Sequence, residues 1–137
     1  MEPAACELLQ NLLAMPTPSG WEADGLRLLA AALKPHAASV ALDPHGNLHA
    51  VLNPGAPMRV MIEGHCDEIG FMVQYIDEKG FLTLTAVGGV TVPLLAGERV
   101  VIQGRAGPVN GVFGVRPPHL MKPDERDKAA PRDLADI

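Results

Sequence analysis

Aromatic residues are scarce in this sequence: 4% of 137 residues, with one Trp, one Tyr and three Phe. Any core must therefore be filled by Leu, Val, Ile, Ala and Met, which an apolar content of 47% allows. Cysteine is scarcer still, and Cys6 and Cys66 alone make no disulfide framework. No apolar run approaches the ~20 residues needed to span a bilayer, so no membrane role is expected. The net charge is -5 and no Lys or Arg stripe is present. That excludes nucleic acid as a partner, because its binders cluster basic side chains on one surface. The N-terminus carries an acid and a proline where a signal peptide would have a basic start and an apolar stretch. Together these absences predict a soluble, cytoplasmic protein.

What the sequence has in quantity is Gly (14) and Pro (13), the composition of a chain with many turns and short strands. The length suits one ordinary domain or two small ones. Folding at this size buries roughly two-thirds of the surface that the unfolded chain exposes.

Leu8, Leu9, Leu12 and Leu13 recur at helical spacing and predict a first amphipathic helix over residues 4–15, stopped by Pro16-Thr17-Pro18. Ser19-Gly20-Trp21-Glu22 has the spacing of a capping box, with Ser19 covering an orphan amide and Glu22 reaching back. A second helix follows, with Leu26, Leu29, Ala30 and Leu33 on one face and Pro35 beyond its end. Residues 40–42 and 48–52 read as strands around the turn Asp43-Pro44-His45-Gly46-Asn47. Residues 58–62 are almost wholly apolar, which predicts a strand buried on both faces of a sheet between helices. To this point the chain reads as layered α/β. From Gly70 the character changes. Residues 71–76 and 81–85 flank Asp77-Glu78-Lys79-Gly80 as a hairpin, and short strands continue at residues 99–102 and 109–115. No helix-length periodic segment lies between Ile69 and Leu120, and strands at this spacing predict a small barrel or sandwich. A boundary is therefore expected near Ile69, with an all-β module reaching to about residue 130. The run Lys122-Pro123-Asp124-Glu125-Arg126-Asp127-Lys128 has mixed sign and reads as a solvated loop.

The chemistry concentrates at Glu63-Gly64-His65-Cys66-Asp67-Glu68, just beyond the most apolar strand. In open α/β sheets ligands bind beyond the carboxyl ends of strands. An i, i+2 pair on extended chain projects to one side, so His65 and Asp67 can work together. Imidazole ligates zinc-like ions, and a carboxylate can fix its ring and tautomer. Gly64 is expected to let the backbone turn tightly beside them. By spacing alone, a satisfied strand-end histidine with an ordinary surface Asp is the favoured reading, because His-x-Asp is short and common by chance. His45 and His49 lie across a turn and read as structural, as does His119 after a double proline. Cys66 should point away from the pair as a small packed residue, since no second histidine is placed to activate it. Glu68 is expected near the site but receives no role.

Gly64-His65-Cys66-Asp67-Glu68-Ile69-Gly70-Phe71-Met72-Val73 resembles the signature of the co-catalytic-metal aminopeptidases. That family includes tetrahedral dodecameric and glutamyl aminopeptidases, and some members are labelled endoglucanases or cellulases. Pro18-Ser19-Gly20-Trp21-Glu22, Asp43 with Gly46-Asn47-Leu48, Gly88-Gly89, Gly97-Glu98-Arg99-Val100 and Pro117-Pro118-His119-Leu120 follow in the family's order, so the resemblance covers essentially the whole chain. It implies part of an α/β/α metallo-aminopeptidase catalytic domain followed by an inserted PA-like all-β barrel. The corresponding division is residues 1–69, the insertion at 70–130, and a return into the catalytic domain at 131–137.

The resemblance further implies that His65 binds one of two divalent metal ions, zinc or cobalt, and that Asp67 is the catalytic-site residue supporting that ligand. Activity would be removal of N-terminal residues from peptide substrates, in homo-oligomers (dimer to dodecamer) built through the β insertion. In the family the bridging Asp, an adjacent Glu pair, another Asp and a final His all follow the insertion. No Glu-Glu pair occurs here. Asp133-Leu134-Ala135-Asp136-Ile137 resembles the returning strand, with Leu134-Ala135 where the family has an aromatic and Ile. The expectation is an N-terminal portion that by itself binds metal poorly and hydrolyses nothing. Two other readings are a non-catalytic assembly module and an endoglucanase, as some family labels have it. The latter would need two carboxylic acids flanking a sugar site, which His-x-Asp does not supply.

Overall fold

Pro3 occupies the first turn of the first helix, where its missing amide costs nothing. In the computed structural model this helix, α1, runs Pro3–Leu13, and a second, α2, runs Ala23–Leu33. The structure describes residues 2–121 together with Leu134 and Ile137. The charged run at 122–128 and most of the expected return at 131–137 lie outside the described residues. Among the described residues six strands follow the helices: β1 (Ser39–Leu42), β2 (Leu48–Val51), β3 (Gly70–Ile76), β4 (Leu82–Val87), β5 (Arg99–Gly104) and β6 (Gly107–Val112). They pair two by two as β1-β2, β3-β4 and β5-β6. The chain divides into two compact units, residues 1–70 and 71–137. The architecture is mixed helix and sheet, with both helices in the first unit and two hairpins in the second.

In the first unit α2 packs against α1 and the β1-β2 hairpin. That hairpin is antiparallel, with Ser39 opposite Val51 and Leu42 opposite Leu48. Its turn is closed by one side chain. Oδ1 of Asp43 accepts the amides of His45 and Asn47 at 2.9 Å, and Oδ2 accepts the Asn47 side-chain amide at 2.8 Å. Gly46 then turns at φ +90°, a left-handed conformation that glycine adopts without steric cost. The same device closes β3-β4: Oδ1 of Asp77 accepts the amides of Lys79 and Phe81 at 2.9 and 2.8 Å, and Gly80 turns at φ +86°. Both are aspartates bonding their own backbone two and four residues on, with glycine at the third.

In the second unit β5 and β6 are joined through Arg105-Ala106, with Gly104 opposite Gly107. Gly111 has no side chain because Val100 and Ile102 lie over it: an added Cβ would stand 3.1 Å and 2.9 Å from their methyl carbons. Beyond β6, Phe113 is buried and meets Phe71 of β3 edge-on, ring centres 4.9 Å apart.

Two expectations fail here. Residues 58–62 form no strand, and among the described residues no backbone ladder bond is made there. Met58, Val60, Met61 and Ile62 are 75%, 74%, 83% and 93% exposed. Their apolarity marks a segment suited to burial, but no strand among the described residues lies beside it to pair. The capping box also fails: α2 starts at Ala23, its cap position is Glu22, and no side chain caps it. The Ser19 hydroxyl is engaged elsewhere.

Candidate metal-ligand site

The site is built where the loop between the helices meets the segment after the exposed apolar run. Pro18 and Glu68 form an isolated parallel bridge. The Glu68 amide donates to the Thr17 carbonyl at 2.9 Å, and the Ser19 amide donates to the Glu68 carbonyl at 3.3 Å. Side chains complete the join. The Thr17 hydroxyl donates to the carbonyl of Cys66 at 2.9 Å, and the Thr17 amide donates to Oε1 of Glu68 at 3.0 Å. Thr17 is buried, and its methyl lies against Gly25 of α2, where an added Cβ would approach to 2.9 Å. Gly70 is close-packed in the same way against Pro18.

This join carries His65 and Asp67 on a braced backbone. Nδ1 of His65 lies 2.8 Å from Oδ1 of Asp67 and 3.1 Å from the Asp67 carbonyl oxygen. An ionised carboxylate and a carbonyl are both acceptors only, so Nδ1 carries the proton. In the neutral ring the lone pair is then on Nε2, and with the side chain 85% exposed that edge is accessible. The other carboxylate oxygen, Oδ2, accepts the Ser19 hydroxyl at 2.5 Å. The Ser19 hydroxyl first, and His65 second, hold the Asp67 carboxyl below its ordinary range, because both favour the ionised form. Burial pushes the Cys66 thiol up, assisted by the charges of Glu22 and Asp67. A half-buried thiol held protonated is no nucleophile, which agrees with its reading as a packed residue. Gly64 turns nothing: its φ is outside the left-handed region and the space around it is open.

The structure thus brings His65 and Asp67 together and adds three residues to which the sequence assigned no part in the site. Thr17, Ser19 and Glu68 form the brace, and a sequence-local signal could not reveal contacts made across 48 to 51 residues. His49 sits 3.3 Å from Asp43 in the β1-β2 turn, and His119 lies on a short turn in the second unit. Among the described residues no group of three His, Cys, Asp or Glu side chains converges as a metal cage. Among them, too, no helix is long and apolar enough to cross a membrane.

The M42 glutamyl aminopeptidase family model matches residues 46–137. A lysyl aminopeptidase of Pyrococcus furiosus is 38% identical over 117 residues, 85% of this chain and 34% of the relative. A TET aminopeptidase crystal structure from a marine sediment Thaumarchaeota archaeon superposes with a TM-score of 0.90 at 32% identity, covering 98% of this chain and 38% of that one. TET1 peptidase of Pyrococcus horikoshii, which assembles into a tetrahedron or an octahedral shell, superposes at 0.72 with 34% identity, covering 91% and 37%. A Thermotoga maritima structure named endoglucanase superposes at 0.70 with 30% identity, covering 80% and 34%. A mixed helix-and-sheet fold is thus shared with peptidases. This chain belongs to the M42 glutamyl aminopeptidase family. It spans about a third of the length of the relatives it matches.

Proposed function

We propose that this chain supplies the N-terminal part of a metal-dependent aminopeptidase that removes N-terminal residues from peptides. His65 is one metal ligand through Nε2, and Asp67 holds its ring and tautomer. The observation that carries this is the 2.8 Å contact between Nδ1 of His65 and Oδ1 of Asp67. A metal-ligating histidine commonly donates its second ring N–H to a carboxylate in this way. The donor set fits one position of a zinc or cobalt centre. When bound, two such ions would polarise the scissile carbonyl and lower the pKa of water towards neutrality. One ligand and its support do not make the centre, so the chain acting alone hydrolyses nothing. A complete centre in this reading needs the bridging Asp, the Glu pair, the further Asp and the final His that the family resemblance implies after the insertion.

In this reading residues 1–69 belong to an α/β/α catalytic domain, residues 70–130 to a PA-like β insertion, and residues 131–137 to the return. The hairpins β3-β4 and β5-β6 are the insertion's first strands, and homo-oligomers form through it in the cytoplasm. The shells built by the Pyrococcus horikoshii relative support that assembly. The endoglucanase name of one neighbour does not carry over, because His65 and Asp67 supply no pair of carboxylic acids.

The test is bound zinc or cobalt, together with release of an amino-acid anilide. The 137-residue chain should release none. A protein continuing into a Glu-Glu pair and a late His should turn over, and His65→Ala should abolish both metal and activity. Turnover that survives His65→Ala would overturn the ligand assignment.

A further inference from the structure

His65 is held by hydrogen bonds and not by packing. Its side chain is 85% exposed and that of Asp67 38%, so neither ring nor carboxylate is walled into a rotamer. Asp67 has two oxygens, and either could turn towards Nδ1 or away from it. What selects between them is across the join. Ser19 stands on a fixed backbone: its own amide donates to Glu68 O at 3.3 Å, and the next amide, Gly20, donates to Oε1 of Glu22 at 2.6 Å. Its hydroxyl does not serve α2, which begins four residues later with no side-chain cap. The hydroxyl proton goes to Oδ2 of Asp67 at 2.5 Å instead.

We infer that Ser19 is a positioning residue of the site: its hydroxyl anchors Oδ2 of Asp67, which leaves Oδ1 to hold the Nδ1 proton of His65 and keeps Nε2 the free nitrogen. The relay runs Ser19 Oγ–Asp67–His65, from a loop 48 residues away to the outermost atom of the site. This rests on the reading of His65 as a metal ligand, but it also makes a claim that holds without metal. An exposed histidine in water prefers the proton on Nε2. The relay reverses that preference, so the ring is already the ligating tautomer before an ion arrives.

The experiment is long-range 15N–1H NMR of His65 in the 137-residue chain at a pH where the ring is neutral. The native chain should show His65 mainly as the Nδ1–H tautomer. In Ser19→Ala the ratio of Nδ1–H to Nε2–H should fall about threefold to tenfold, the net worth of one typical hydrogen bond. Ser19→Thr, which keeps the hydroxyl, should restore it. An unchanged ratio in Ser19→Ala overturns the inference. Should Ser19→Ala lose the dispersed amide spectrum, Ser19→Thr and Ser19→Val, matched in shape, decide the matter: equal ratios overturn it, and a higher ratio in the Thr variant supports it. Metal content of a protein continuing into the Glu-Glu pair and the late His is the separate arm. If His65→Ala leaves that content unchanged, the ligand reading fails, while the tautomer comparison still decides the role of Ser19.

Discussion

Thr17 and Glu68 hold each other by two opposed hydrogen bonds: the Glu68 amide donates to the Thr17 carbonyl at 2.9 Å, and the Thr17 amide donates to Oε1 of Glu68 at 3.0 Å. Around this pair the first unit joins its helix-linking loop to the histidine motif. The Thr17 hydroxyl adds a third bond, to Cys66 O. Thr17→Val keeps the shape, removes that donor and leaves a part-buried carbonyl short of a partner. We expect a loss of about 1–2 kcal/mol, read by urea unfolding with the fluorescence of Trp21, the one tryptophan of the chain.

Gly25→Ala sets helix propensity against packing. In an open helix the change would stabilise by about 1 kcal/mol. Here the new Cβ would stand 2.9 Å from Cγ2 of Thr17 and 3.5 Å from Cδ1 of Leu12. Thr17 is β-branched, buried and tied by its hydroxyl, so it cannot swing aside without giving up Cys66. The net effect should be destabilising, by about 1 kcal/mol or more, in the same unfolding measurement. A stabilised variant would show that the loop moves freely against α2.

Asp43 gives the pH dependence. The Asn47 side chain first, then the backbone amide of Asn47, lower its carboxyl from 3.8 to about 2. A carboxylate depressed on folding stabilises above its unfolded pKa, and that contribution is lost as pH falls through the folded value. The contribution of Asp43 to the β1-β2 turn should therefore be fully present above about 4 and weaken from there down to about 2. The amide shifts of His45 and Asn47 report it, and Asp43→Asn should flatten the profile.

Asp67→Ala frees the ring of His65 and leaves the ligand atom in place. In a complete metal-loaded enzyme, loss of such a support costs about 10–100-fold in metal affinity, measured by competition with a chromophoric chelator. An effect as large as that of His65→Ala would make Asp67 a ligand in its own right.

What could be read from the sequence, and what could not, divides by range. The Asp43 and Asp77 turns were legible because all their partners lie within a few residues: Asp, then Gly at the third position, then a resumed apolar strand. The pairing of His65 with Asp67 was legible for the same reason, being two residues apart. Ser19 was misread as a helix cap because Ser-x-x-Glu is a local signal, while its actual partner stands 48 residues on. Glu22 behaved partly as expected, reaching back to an amide, but to Gly20 and from the cap position itself. Residues 58–62 were misread because apolarity states what a segment would bury against, not whether that surface lies in the same stretch of chain.

The 51-residue separation between Thr17 and Glu68 has a kinetic consequence. Helices and hairpins close over short distances, but this bridge must first close a long loop, and its entropy is lost before any contact returns it. His65 therefore acquires its setting late, after α1, α2 and the β1-β2 turn have formed. Pulse-labelled hydrogen exchange during refolding should show the Glu68 amide protected after those of His45 and Asn47. A chain emerging from the ribosome would carry a helical and hairpin scaffold well before it carried an oriented histidine.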